Sequence, residues 1–266
     1  QTVYQNFGFN KFMYLGSKYP IKHQSSIDRS AYLSDETAYA NTIDEILDAQ
    51  GSKFINLVTM QNHLPYDSNY YNGKEKYAAS GNAVTHDYVR GMVEEYVMGL
   101  HYTDEAVKNF IEKIDSINKP ITFVFYGDHL PGIYWDTNNN NILHQTDYFI
   151  YSNKYARRHL GRRIYRQYDL VAPTDFMSLV QKQTLTKTTP YSALLEKVLD
   201  ELPVITTKAA AGSKEESDAA MINDNGELIK YDDLSSSQKE LYNDYKLVQY
   251  DMTAGNNYLE DMNFTR

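Results

Sequence analysis

The chain contains no cysteine. Disulfides, thiolate zinc sites, iron–sulfur clusters and cysteine nucleophiles are thereby excluded together. Long apolar runs are also missing: no stretch approaches the ~20 residues that a membrane-spanning helix needs, and mean hydropathy is -0.60. A surplus of basic charge is missing too. The formal net charge is -9, whereas a domain that binds nucleic acid across its surface would be basic. The charged n-region and apolar h-region of a secretory signal are absent. Residue 1 is Gln, which points to a processed product or an excised segment, with any membrane part outside it.

What is present is enough for one full-sized domain, or one domain with a small appendage, in 266 residues. Apolar residues make up 42% and charged residues 23%, the balance of a globular protein. Tyrosine supplies 25 of the aromatic residues, against 10 Phe and 1 Trp. Tyr-rich surfaces often meet sugars or polymers, although most such rings are half-buried packing.

Helix and strand signals alternate along the chain, which is the α/β pattern. Ser34 can cap a helix running to about Gln50, with Tyr39, Ile43, Ile46 and Leu47 on one face and Gly51 ending it. Phe54–Met60 (FINLVTM) is short, apolar and β-rich, so a buried strand is predicted there. From His86 to Ile117 apolar residues recur at helical spacing, and Pro120 blocks continuation. Ile121–Tyr126 (ITFVFY) and Asp147–Tyr151 (DYFIY) read as further buried strands, and helices are expected over Thr174–Lys182 and Tyr191–Leu202.

Composition shifts near Pro203. Residues 203–266 hold 12 acidic and 6 basic residues. The stretch 206–220 is small and polar, hence a loop or linker. Asp224-Asn225-Gly226 signals a hairpin turn, and Ser237 with Glu240 forms a capping box before a last helix. The expected organisation is a main domain over 1–202 with an acidic appendage, 203–266, packed on it.

The chemistry concentrates in two loops, each following a predicted strand. Gly127-Asp128-His129-Leu130-Pro131-Gly132 comes directly after ITFVFY. Ligands of open α/β sheets bind just beyond the carboxyl ends of strands. Asp128 and His129 offer a hard oxygen and an imidazole nitrogen side by side. A Gly-flanked turn lets both converge on one ion, and such a mixed pair suits Mn²⁺ or Zn²⁺ better than Ca²⁺. Two ligands do not complete a shell. The alternative is an Asp-capped turn with an exposed His. In Thr59-Met60-Gln61-Asn62-His63-Leu64-Pro65-Tyr66, His63 could bind an anionic group or protonate a leaving oxygen; it could equally be a loop His holding a backbone carbonyl. Asn153–Arg166 carries six Lys/Arg and no acid. It could meet an anionic surface, or it could be a solvated face pairing with the acidic tail.

The motifs TMQNHLPY and GDHLPG, with HYTDEAVKNFIEKI between them, resemble the lipoteichoic acid synthase-like phosphoglycerol transferases of the sulfatase/alkaline phosphatase superfamily. The early FGFNKFM and the late LVQYDMTAGNNYL are similar to segments of the same family. The resemblance spans about Phe7 to Tyr258. It implies a central sheet flanked by helices, sulfatase/alkaline-phosphatase-like and partial, with a small α+β C-terminal appendage. It also implies Mn²⁺, or Mg²⁺ or Zn²⁺ in its place, held in part by Asp128 and His129. His63 would contact a glycerophosphate head group. The implied reaction passes glycerophosphate from phosphatidylglycerol, through a Thr nucleophile, to an envelope polymer or glycan. The implied location is the extracellular face of the cytoplasmic membrane, in a Gram-positive bacterium.

The family's Thr nucleophile and its acidic metal ligand belong on sequence upstream of Gln1. The expectation is thus the C-terminal part of a catalytic domain, inactive by itself. Rival expectations are another activity of the superfamily (phosphoethanolamine transfer, sulfate ester hydrolysis, phosphatase) or a non-catalytic module that binds envelope polymer.

Overall fold

The computed structural model describes residues 2–66, 70–72, 77–82, 84, 86–133, 143–160, 168–212 and 219–265. The chain divides into two compact units. One comprises residues 1–117 and 131–134, the other 118–130 and 135–266. No described helix is long and apolar enough to cross a membrane.

The first unit is helical. A short α1 (Thr2–Asn6) precedes α2 (Asp35–Leu47) and the long α3 (Asp87–Asp115). Ser34 caps α2 as its sequence predicts: its hydroxyl accepts from the Thr37 N–H at 3.2 Å. The helix stops at Leu47, three residues before the expected Gln50, and Asp48 closes it. The apolar stripes of α2 and α3 face each other. Tyr39 stacks on Phe110 with ring centroids 4.9 Å apart, and Ile43 of α2 and Met98 and Ile114 of α3 are buried. That burial, at roughly 25 cal/mol per Å² of apolar surface, fixes the helix pair.

The run predicted as a buried strand, Phe54–Met60, is not one. The segment forms no strand, and Phe54 and Val58 are 72% and 60% exposed. An extended apolar segment becomes a strand only when its backbone groups find a partner. Among the described residues no strand pairs with it.

The second unit contains the two sheets. β1 (Thr122–Tyr126) and β2 (Tyr148–Ser152) pair antiparallel, with Phe125 opposite Phe149 and their rings stacked at 5.1 Å. They are half-buried ribbons where buried strands were expected. After β2 come α4 (Lys154–His159), a 3₁₀ turn at Pro173–Asp175, α5 (Phe176–Thr184) and α6 (Pro190–Glu201). Phe176 of α5 packs against Tyr126 and Tyr148, so α5 covers one end of the ribbon.

Of the stretch 206–220, expected as a loop or linker, the described residues are mostly in regular elements, and residues 213–218 lie outside the described residues. Val204–Thr207 is a strand, β3, followed by the single turn α7 (Lys208–Ala211). β4 (Ala219–Ile222) and β5 (Leu228–Ile229) form the expected hairpin, with Gly226 at φ +76° in its turn, and β4 also pairs β3. The final long helix is α8 (Ser236–Thr253), followed by α9 (Tyr258–Asp261). Its capping box uses Ser235 and Gln238 in place of Ser237 and Glu240, because the helix starts two residues earlier than expected. α8 packs on α6 through Val198, Leu202, Leu241 and Tyr245. Burial pushes the Tyr245 phenol up to about 12.

Candidate functional site

Asp128 and His129 sit at the end of β1. The ladder with β2 runs on past Tyr126: the Gly127 N–H reaches the Asp147 carbonyl at 3.4 Å, and the Thr146 hydroxyl donates to the Gly127 carbonyl at 2.7 Å. A side chain at 127 would come within 3.0–3.3 Å of Thr146. Glycine there allows the close approach that ends the ribbon and turns the chain. The next two side chains project into solvent, with Asp128 76% and His129 63% exposed.

The pair is locally organised. The His129 backbone N–H donates to Asp128 Oδ1 at 2.9 Å. His129 Nδ1 lies 2.8 Å from the Leu130 carbonyl. A carbonyl oxygen only accepts, so in this arrangement Nδ1 carries the hydrogen and the lone pair of the neutral ring is at Nε2. Asp128 Oδ2 stands 3.8 Å from that Nε2. Two ligand atoms each ~2.1 Å from one ion, at a tetrahedral angle, are roughly 3.4 Å apart. The donor set of one carboxylate oxygen and one imidazole nitrogen, its second nitrogen tied to a carbonyl, fits half of a divalent metal shell. Among the described residues no group of three or more His, Asp or Glu could hold an ion.

His63 lies in the first unit, on an exposed loop. Its Nδ1 is 2.6 Å from the Leu64 carbonyl, which also accepts from the Tyr32 hydroxyl at 2.8 Å. The same argument places the hydrogen on Nδ1 and leaves Nε2 as the basic nitrogen. The Tyr32 and His63 rings meet edge to face at 5.6 Å. Behind the exposed imidazole the loop is anchored: Tyr66 is buried with Met92 and Ile133, and Gln61 is 3% exposed.

Both histidines belong to a His-Leu-Pro tripeptide, and both rings share this tautomer. A residue before proline is held in extended backbone. In both, Nδ1 of the ring faces the carbonyl of the leucine that follows it, at 2.6 Å for His63 and 2.8 Å for His129. This signal was readable in the sequence and was missed there. Tyr32 and the buried amides of Gln61 and Asn62 were missed too, because nothing local marks them.

Within the basic stretch, Arg157 holds to the strand before it. Arg157 donates to the Ser152 carbonyl, and its guanidinium lies 4.9 Å from the Tyr151 ring centroid, so it braces β2. Residues 161–167, which include Arg162, Arg163 and Arg166, lie outside the described residues.

Comparison with known proteins gives one consistent picture. A family model described as Sulfatase matches residues 1–180. Among solved structures, the phosphoglycerol transferase GacH of Streptococcus pyogenes, in complex with sn-glycerol-1-phosphate, superposes with a TM-score of 0.74 at 33% identity. The match covers 99% of this chain and 60% of that one. A candidate cyclic beta-1,2-glucan modification protein of Rhizobium meliloti (strain 1021) is 22% identical over 97% of this chain. Lipoteichoic acid synthase 1 of Bacillus subtilis (strain 168) is 26% identical over 48% of it. The chain spans 39% and 18% of the length of those two relatives. The α/β fold is that of the sulfatase-like phosphoglycerol transferase.

Proposed function

The chain belongs to the sulfatase family, and from that premise we propose that it forms part of a metal-dependent phosphoglycerol transferase. The donor in this reading is phosphatidylglycerol and the acceptor a hydroxyl of an envelope polymer or glycan. The reaction exchanges one phosphate ester for another. The bond from phosphorus to the diacylglycerol oxygen breaks, a bond to the acceptor oxygen forms, and the acceptor's proton ends on diacylglycerol. Such a reaction belongs on the extracellular face of the cytoplasmic membrane, where lipid head groups and envelope polymers meet.

Asp128 and His129 would hold the divalent ion, with Mn²⁺ the first choice and Mg²⁺ or Zn²⁺ the alternatives. Bound there, the ion would supply Lewis acidity toward a phosphate oxygen and lower the pKa of a coordinated hydroxyl. The chain's own residues have separate tasks. The Leu130 carbonyl fixes the His129 ring, and the Asp128 carboxylate brings negative charge beside it. His63 presents Nε2 to solvent; protonated, it would meet a phosphate oxygen with a charge-assisted hydrogen bond. The nucleophile is assigned to none of these three residues.

The observation that carries this reading is the Asp128–His129 pair. Its oxygen and nitrogen face one another at the end of a strand, with the tautomer already set for metal binding. The test is binding. Mn²⁺ titrated into the chain, followed by electron paramagnetic resonance, should show a site that Asp128→Ala and His129→Ala each abolish. Glycerol phosphate, followed by NMR, should perturb the His63 ring signals, and His63→Ala should weaken binding. Mn²⁺ uptake unaffected by both metal-pair variants would reject the metal assignment.

A further inference from the structure

We propose that Thr103 is a positioning residue for His63, the hub that holds the His63 loop in register. The proposal rests on the reading of His63 as a phosphate-contacting residue. It goes beyond that reading by naming what places the ring.

An exposed imidazole has little packing of its own, so its placement is inherited from the backbone that carries it. That backbone is clamped from behind. Thr103, on α3 and 8% exposed, donates its hydroxyl hydrogen to Asp35 Oδ2 at 2.7 Å. The Thr103 hydroxyl oxygen in turn accepts from Asn62 Nδ2 at 2.8 Å and from Gln61 Nε2 at 3.2 Å. A hydroxyl has one donor and two acceptor sites, and this one uses all three. Gln61 Nε2 also donates to the Gly99 carbonyl at 3.0 Å, and Gln61 Oε1 accepts from the Asp35 N–H at 3.0 Å. The two residues immediately before His63 are thereby fastened to one face of α3, since Gly99 and Thr103 are four apart, and to the first turn of α2.

The clamp continues on the far side of His63. The Asn62 carbonyl accepts from the buried Tyr66 hydroxyl at 3.0 Å, and the His63 N–H donates to the Met60 carbonyl at 3.0 Å. Residues 62–66 are therefore closed into a loop whose base is buried and whose tip is the imidazole. Gly99 makes the approach possible. A Cβ there would stand 2.3 Å from Asn62 Oδ1 and 2.9 Å from the Tyr71 hydroxyl. None of these groups needs to touch a ligand. Their common product is the direction in which His63 Nε2 points, and a placement error of about an ångström costs heavily in recognition.

The experiment compares Thr103→Val, which keeps the shape and removes the hydroxyl, with Thr103→Ser, which keeps the hydroxyl. Ile43→Val, a core change elsewhere in the same unit, controls for general loss of stability. Two readouts are taken on the whole chain: the ¹⁵N shifts of the His63 ring and the affinity for glycerol phosphate. Thr103→Val should move the ring shifts away from the Nδ1–H pattern and weaken binding by about tenfold. Thr103→Ser and Ile43→Val should stay within about twofold of the parent chain. Unchanged ring shifts in Thr103→Val overturn the proposal, whatever the affinities. Separately, His63→Ala with unchanged affinity rejects the phosphate-contact reading and leaves the ring shifts to decide the positioning claim. Should Thr103→Val fail to fold, Asn62→Ala cuts one arm of the same hub and is judged on the same signals.

Discussion

His129 Nδ1 lies 2.8 Å from the carbonyl oxygen of Leu130, a residue that the following proline holds extended. The ring is oriented by the backbone of its own neighbour, and Pro131 is the distal cause. Pro131→Ala should loosen Leu130 and weaken Mn²⁺ binding by about tenfold or more, as loss of a ligand-orienting partner does. Asp128 and His129 remain in place in this variant. Titration with paramagnetic detection measures the change, and affinity equal to the parent's would show that the carbonyl contact does not orient the ring.

Asp35 gives a pH signature with a definite sign. Burial, opposed by hydrogen bonds from Thr103, Thr59 and the Gln61 backbone, holds its carboxyl above the usual carboxylate range. The native state therefore keeps this proton more tightly than the unfolded chain does. Stability from this source is complete below the ordinary Asp pKa and is lost as pH rises through the raised one. Asp35→Asn removes the titration. The melting temperature of Asp35→Asn minus that of the parent should grow as pH rises above the ordinary Asp value of about 4. Asp175, also raised by burial, contributes equally to both chains and drops out of the difference. A difference that shrinks with pH would contradict the assignment.

Two glycines separate close packing from open space. Gly99→Ala drives a methyl against Asn62 and Tyr71 and should destabilise by roughly 1–3 kcal/mol. Gly51 has no heavy atom within 4 Å of an added Cβ, so Gly51→Ala should be near neutral. Chemical denaturation of the two variants measures the contrast. Equal midpoints would mean that the Asn62 amide moves aside freely.

Asn153 is the corresponding anchor of the second unit. It is 0% exposed. Its Oδ1 accepts from Ala156 N at 2.9 Å and Ile121 N at 3.1 Å, and its Nδ2 donates to the Lys119 carbonyl at 3.0 Å. One side chain thus caps α4 and fixes the approach to β1. Asn153→Ala should cost roughly 2–4 kcal/mol from a lost cap and orphaned backbone groups. Hydrogen exchange should show faster opening at Ile121 and Ala156. Unaltered protection there would assign the anchoring to other contacts.

The helices were legible because their signals are local. The stripe that includes Met92, Ala106, Phe110 and Ile114 needs only a 3.6-residue period, and Ser34 names its own cap. Asp128 and His129 could be singled out because adjacency at a strand end is visible in sequence. Which ring nitrogen carries the hydrogen was hidden, since that depends on a carbonyl's direction. Phe54–Met60 was misread because an apolar, β-rich run reports what a strand would contain and says nothing about its partner. Thr103 escaped for a related reason. A polar residue inside an apolar helix stripe is ordinary until Asp35, Gln61 and Asn62 are seen to meet on it, 68, 42 and 41 residues away in sequence.

That misread run has a colloidal consequence. Phe54–Met60 is apolar and β-rich, with Phe54, Leu57, Val58 and Met60 exposed and no partner strand among the described residues, the composition of a segment that templates pairing between chains. The restraint on it is long-range. A net charge of -9 makes two copies repel before these edges meet, over a screening length of ~10 Å at 0.1 M salt. The dispersed state is thus a balance between a sticky ribbon and a shared sign of charge, and ionic strength is the variable that tips it.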